Sequence, residues 1–111
     1  MSLHCVGSVE SIPVGEGRRF VLDGEAVAIF RTRDGALFAT QAACPHRQGP
    51  LADGMVGGGR VFCPLHSYDF DLATGASRSG ACDHLRTHGV SVDPAGAIWV
   101  EVEGERSTEA A

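Results

Sequence analysis

The apolar positions of this chain fall in short runs, each closed by glycine or by an acidic turn residue. Arg18-Arg19-Phe20-Val21-Leu22 and Ala26-Val27-Ala28-Ile29-Phe30-Arg31 flank Asp23-Gly24-Glu25, and a second turn, Arg33-Asp34-Gly35, leads into Ala36-Leu37-Phe38-Ala39. Such runs predict a meander of antiparallel strands, because glycine takes the positive φ that tight hairpin turns require. Met55-Val56 and Arg60-Val61-Phe62 can pair in the same way across Gly57-Gly58-Gly59. A last hairpin is expected where Gly89-Val90-Ser91-Val92 and Ala97-Ile98-Trp99-Val100-Glu101-Val102 flank Asp93-Pro94-Ala95-Gly96, with Trp99 in or beside the core. Asp69 and Asp71 alternate with Phe70, which reads as a strand with one apolar face. No segment carries a long 3.6-residue period, so helix is confined to single turns, one at Val9-Glu10-Ser11-Ile12 and one after Gln48. The pattern predicts an all-β fold. The polar, small residues from Gly104 to Ala111 have nothing to bury and are expected to be disordered.

At 111 residues the chain is long enough for one domain with a modest core. It has no apolar run of about 18 residues that would span a membrane, and its first residues lack the basic and long apolar regions of a signal peptide. A cytoplasmic location, away from membranes, is the default expectation. The net charge of -5 argues against nucleic acid as a partner and favours a basic patch on a protein partner. Without an export signal, the four cysteines are expected to be reduced thiols rather than two disulfides.

Two of those cysteines lie in mixed pairs with histidine, Cys44-Pro45-His46 and Cys63-Pro64-Leu65-His66. Structural zinc sites usually take their ligands as cysteine pairs and histidine pairs. Mixed pairs suit a centre with two unlike ends, such as a [2Fe–2S] cluster in which two histidines replace two cysteines on one iron. Cys44 and Cys63 would bind one iron, and His46 and His66 the other. A zinc ion on the same four side chains would instead make a colourless, zinc-stabilised, non-redox binding module. The glycine hairpin between the pairs would return Cys63 beside Cys44, and Pro45 and Pro64 would stiffen the two segments by fixing φ. His4, His84 and His88 have no such partner and read as surface histidines, and Cys5 and Cys82 as ordinary, partly buried thiols. Gly54 and Gly75 read as turn positions that need backbone freedom. Gly57 to Gly59 lack the lysine and the strand–helix setting of a phosphate loop. No nucleophile–base pair stands out, so no catalytic residue is expected and the chain is not catalytic alone.

C-P-H-x4-L-x2-G from Cys44 to Gly54, followed by C-P-x-H-x3-F-D-x2-T-G from Cys63 to Gly75, closely resembles the Rieske ferredoxin-type signature. The resemblance implies a Rieske fold: small stacked antiparallel sheets in one domain over 1–103, with a cluster-binding part at about 42–77 and a tail at 104–111. It implies one [2Fe–2S] cluster held by Cys44, His46, Cys63 and His66, and one-electron transfer to redox partner proteins. Those partners would dock around His46 and His66, with Arg47, Gln48, Pro64 and Leu65 at the rim. High-potential members of the family carry an extra cysteine in each ligand loop and two hydroxyls aimed at the cluster. The matching positions here are Gly49, Leu65, Tyr68 and Phe70, which implies a low-potential centre near the bottom of the family's range of roughly −150 to +300 mV.

Ile12-Pro13, Gly15-Glu16-Gly17-Arg18, Ala28-Ile29-Phe30-Arg31 and Arg47-Gln48-Gly49-Pro50-Leu51-Ala52-Asp53-Gly54 look most like small subunits of assimilatory NAD(P)H nitrite reductases, which work with a large flavin- and sirohaem-containing subunit. Ala81-Cys82-Asp83-His84-Leu85 resembles a segment common in the ferredoxin components of aromatic-ring dioxygenases. In that alternative the partners are a flavin reductase and a terminal oxygenase.

Overall fold

The computed structural model describes residues 2–44, 50–64, 69–77 and 84–102. Strands β1 (Ser2–Ser8), β2 (Glu16–Leu22), β3 (Glu25–Arg31), β4 (Leu37–Gln41), β5 (Met55–Gly57), β6 (Arg60–Phe62), β7 (Asp69–Asp71), β8 (Thr87–Val92) and β9 (Ala97–Val102) make two sheets. The larger runs in the order β1-β9-β8-β4-β3-β2 and the smaller is β5-β6-β7. The pairings are antiparallel, as the sequence pattern predicts.

The turn chemistry sets the registers. Leu22 pairs with Glu25, leaving Asp23 (φ 55) and Gly24 (φ 79) as the two turn residues between β2 and β3. Gly57 pairs with Arg60, leaving Gly58 (φ 59) and Gly59 (φ 77) between β5 and β6. Two successive positive φ values give the type I′ turn whose twist matches that of the strands. Glu25 therefore belongs to β3 rather than to the turn, and β2 starts earlier than its apolar run because Glu16 and Gly17 pair with Arg31 and Phe30. The two expected helical turns are 3-10 turns at Val9–Ser11 and Leu51–Asp53. The first is held by the Ser8 hydroxyl, which accepts from Glu10 N at 3.1 Å, and by Arg31, whose Nη1 donates to the carbonyls of Val9 (3.2 Å) and Ile12 (3.1 Å).

β3 is the wall between two cores. Its odd positions Val27 and Ile29 pack with Ile12, Ala39, Ile98, Val100 and Val102, between the two halves of the large sheet. Its even positions Ala28 and Phe30 pack with Leu51, Val56, Val61, Phe70, Leu72 and Leu85, and with Cys44 and Cys63. A strand buried on both faces reads as an unbroken apolar run, which is how Ala26 to Phe30 reads. Complete burial of each large side chain contributes about 1.5–3 kcal/mol, so β3 fixes the small sheet against the large one.

Other positions also depart from the sequence expectations. β1 was not anticipated; it lies on the edge of the sheet and pairs with β9. His88 is buried, 7% exposed, because it alternates with the half-buried Val90 on the inward side of β8. His4 is half-buried and sits 3.3 Å from the Asp23 carboxylate, tying the β1 edge of the sheet to the β2–β3 turn at the other edge. Cys5 is exposed rather than partly buried. His84 is exposed as expected, and its Nδ1 accepts from Ser77 N at 3.2 Å. Trp99 is half-buried beside the core and donates from Nε1 to Asp93 Oδ2 at 3.0 Å. Cys82 and the tail from 104 to 111 lie outside the described residues. Among the described residues no helix is long and apolar enough to cross a membrane.

Candidate metal centre

Two segments of equal length, 44–49 and 63–68, each begin with a cysteine and are closed at the base by a backbone pair. Ala43 bridges Pro50 below the first, and Phe62 pairs with Asp69 below the second. The first base is reinforced by Leu51 N, which donates to Ala42 O at 3.0 Å. Gln41 adds two contacts: its Nε2 donates to Ala43 O at 2.7 Å, and its Oε1 accepts from Arg86 N at 2.8 Å. At the second base Arg60 Nε lies 3.0 Å from an Asp69 carboxylate oxygen. Asp69 is 7% exposed, so β7 is not simply a strand with one apolar and one wet face. The ion pair explains how that carboxylate is tolerated.

Two glycines allow this packing by different means. Gly54 has φ -79, which any residue adopts, but a Cβ there would stand 2.2 Å from Phe62 O, the carbonyl just before Cys63. Its requirement is space rather than the backbone freedom expected of a turn. Gly75 needs both: its φ is 82, and a Cβ would stand 2.2 Å from Leu85 O. The turn before it is held by Asp71 Oδ1, which accepts from Ala73 N at 2.9 Å and Thr74 N at 3.0 Å. This is an Asx-type turn, and Asp71 three residues before Thr74 was its legible signal. Nothing local in the sequence marked Gln41, whose partners are Ala43 and, far along the chain, Arg86.

Cys44 (0% exposed) and Cys63 (3%) therefore enter one apolar core as thiols. Soft thiolate donors shielded from water suit zinc or an iron–sulfur cluster, and apolar surroundings influence the potential of a redox centre. Pro64 is exposed immediately after Cys63. His46 and His66, with Pro45, Arg47, Gln48, Gly49, Leu65 and Tyr68, lie outside the described residues; Phe70 is described and fully buried in the core. Among the described residues no three His, Cys, Asp or Glu side chains gather, so the histidine half of the ligand set rests on the motif.

The model of the Rieske [2Fe-2S] domain matches residues 2–93, a span that contains both cysteine-led segments. The chain belongs to the Rieske [2Fe–2S] domain family. This Rieske domain is an electron-transfer domain that binds one [2Fe–2S] cluster. Two buried thiols in one apolar core fit the cysteine end of such a cluster. The chain is 35% identical to the biphenyl dioxygenase ferredoxin subunit of a Pseudomonas species over 78% of its own length and 80% of that protein. It is 46% identical to the 4beta-methylsterol monooxygenase of Methylococcus capsulatus, but over 43% of its own length and only 13% of that larger protein. A solved structure assigned as an NADH-dependent nitrite reductase small subunit from Mycobacterium tuberculosis superposes with a TM-score of 0.83 at 27% identity, covering 89% of this Rieske domain and 93% of that chain.

Proposed function

We propose that this Rieske domain, 1–103 with its cluster-binding part at 42–77, is the small electron-transfer subunit of an assimilatory NAD(P)H nitrite reductase. Cys44 and Cys63 hold one iron of its [2Fe–2S] cluster, and His46 and His66 hold the other. When bound, the cluster supplies a one-electron couple at a potential set by its neutral imidazole ligands and its surroundings. The chain's own residues do the rest. Leu51, Val56, Val61, Phe70 and Leu85 keep water from the cysteine end, and β3 makes the support rigid. Partner proteins dock at the histidine end, rimmed by Arg47, Gln48, Pro64 and Leu65. With four protein ligands on two irons there is no open position for a substrate, so reduction of nitrite belongs to the partner subunit.

The observation that carries this reading is the likeness to the Mycobacterium tuberculosis small subunit over nearly its whole length. A second reading, a ferredoxin passing electrons from a flavin reductase to an aromatic-ring oxygenase, is favoured by the 35% identity to the biphenyl dioxygenase ferredoxin. Deleting the gene separates the two. On the first reading the strain loses growth on nitrite as nitrogen source and keeps growth on ammonium. Unimpaired growth on nitrite, with lost oxidation of an aromatic substrate, would reject it in favour of the second.

A further inference from the structure

Six large apolar side chains are exposed among the described residues: Leu3, Val14, Val21, Met55, Phe62 and Val92. Only Met55 and Phe62 stand opposite one another in a strand register, on the face of β5–β6 away from the buried Val56 and Val61. Met55 is 73% exposed and Phe62 36%. They border an open groove of about 350 Å³ whose other walls are Asp53, Gly54, Cys63 and Pro64. The groove thus runs from an apolar pair on the surface to the start of the Cys63-Pro64 segment.

Among its described walls the one charged side chain is Asp53, which also lines a neighbouring pocket with Arg19. Arg60, the cation of this hairpin, is taken up by Asp69 at 3.0 Å, whereas the exposed Asp53 places a carboxylate at the groove's edge. The chain as a whole carries -5. A paired Met and Phe left in water beside the Asp53 carboxylate, on a chain of net charge -5, complement an apolar side chain next to a positive charge. We propose that this groove is a docking site for the electron-transfer partner, and that it takes an apolar side chain standing next to a lysine or arginine on the partner's surface. The proposal rests on the electron-transfer reading and extends the docking surface from the histidine end along the Cys63 side. A partner seated there lies against the Cys63 segment.

The test is stopped-flow oxidation of the dithionite-reduced protein by two probes: ferric horse cytochrome c, a basic protein acceptor, and ferricyanide, a small one. Met55→Thr and Met55→Thr/Phe62→Thr keep strand-compatible side chains. The double variant is expected to lower the second-order rate constant with cytochrome c about tenfold, leaving the visible spectrum and the ferricyanide rate unchanged. The single variant, at a site too exposed to matter for folding, is expected to fall between. Asp53→Asn is expected to flatten the dependence of the cytochrome c rate on ionic strength. An unchanged cytochrome c rate in the double variant overturns the proposal, as does an equal fall with ferricyanide, which would make these residues supports of the cluster. Self-association of the unmodified protein that Met55→Thr abolishes would assign the groove to a second copy instead. If the unmodified protein takes up iron and sulfide yet passes electrons to neither probe, the electron-transfer reading itself fails.

Discussion

Replacing Gly54 by alanine should damage the fold and the centre together, whereas the same change three residues later should do neither. An added Cβ at Gly54 would stand 2.2 Å from Phe62 O, 3.1 Å from Leu51 O and 3.2 Å from the Phe62 carbonyl carbon. Real Cβ contacts essentially never fall below 3.0 Å, so the 54–62 approach must open by about 0.8 Å, and every atom in the way is backbone. Phe62 pairs with both Met55 and Asp69, and precedes Cys63, so the strain cannot be relieved by turning a side chain. Overpacking of this kind costs about 1–3 kcal/mol. At roughly 4 °C per kcal/mol for a domain of this size, Tm should fall by about 4–12 °C. Displacing the carbonyl before Cys63 should also lower iron bound per protein. Gly57, in the same hairpin, has a φ outside the positive region and open space around its Cβ, so Gly57→Ala should stay within about 0.5 kcal/mol of the parent. Calorimetry and iron analysis on the two variants provide the comparison. Equal melting temperatures and iron contents would refute the reasoning.

Three further outcomes are expected. His46→Ala and His66→Ala should each abolish the Rieske-type absorption and electron-spin signals; a spectrum identical to the parent's would remove that residue from the ligand set. Because Phe70 is an apolar core residue and Gly49 and Leu65 offer no extra cysteines, the midpoint potential should lie below zero by protein-film voltammetry, and a positive value would contradict a low-potential centre. The Asp93 carboxyl is held below its ordinary value of 3.8 chiefly by the Trp99 indole N–H, then by the backbone N–H of Ala97. With a depressed folded-state pKa, its contribution to stability is present above 3.8 and is lost as pH falls through the lower folded value. Trp99 emission should therefore change in that acid window, and Asp93→Asn should remove the change.

The hairpins were legible because their turns obey local chemistry: Asp23-Gly24 and Gly58-Gly59 announce paired positive φ values, and β-branched or aromatic residues flank them. β1 was not, because on this edge strand the apolar Leu3 and Cys5 are exposed while His4 is half-buried, so polarity and burial do not coincide there. The burial of His88 was within reach, since it alternates with Val90. Place in the strand, rather than residue type, decides the burial of this histidine. At the centre, the spacing of the motif singles out Cys44 and Cys63, and the structure buries both in one core. The supports from Gln41, Arg86 and Leu85 were not, because they depend on contacts between distant parts of the chain.

The central claim is a [2Fe–2S] cluster with cysteines at one end and histidines at the other. Pulsed electron paramagnetic resonance on the reduced protein, prepared with its histidine imidazoles labelled with ¹⁵N, tests it most directly. Couplings from two labelled imidazole nitrogens are the predicted result. A reduced cluster with no histidine coupling, or a colourless zinc protein with no signal, would contradict it.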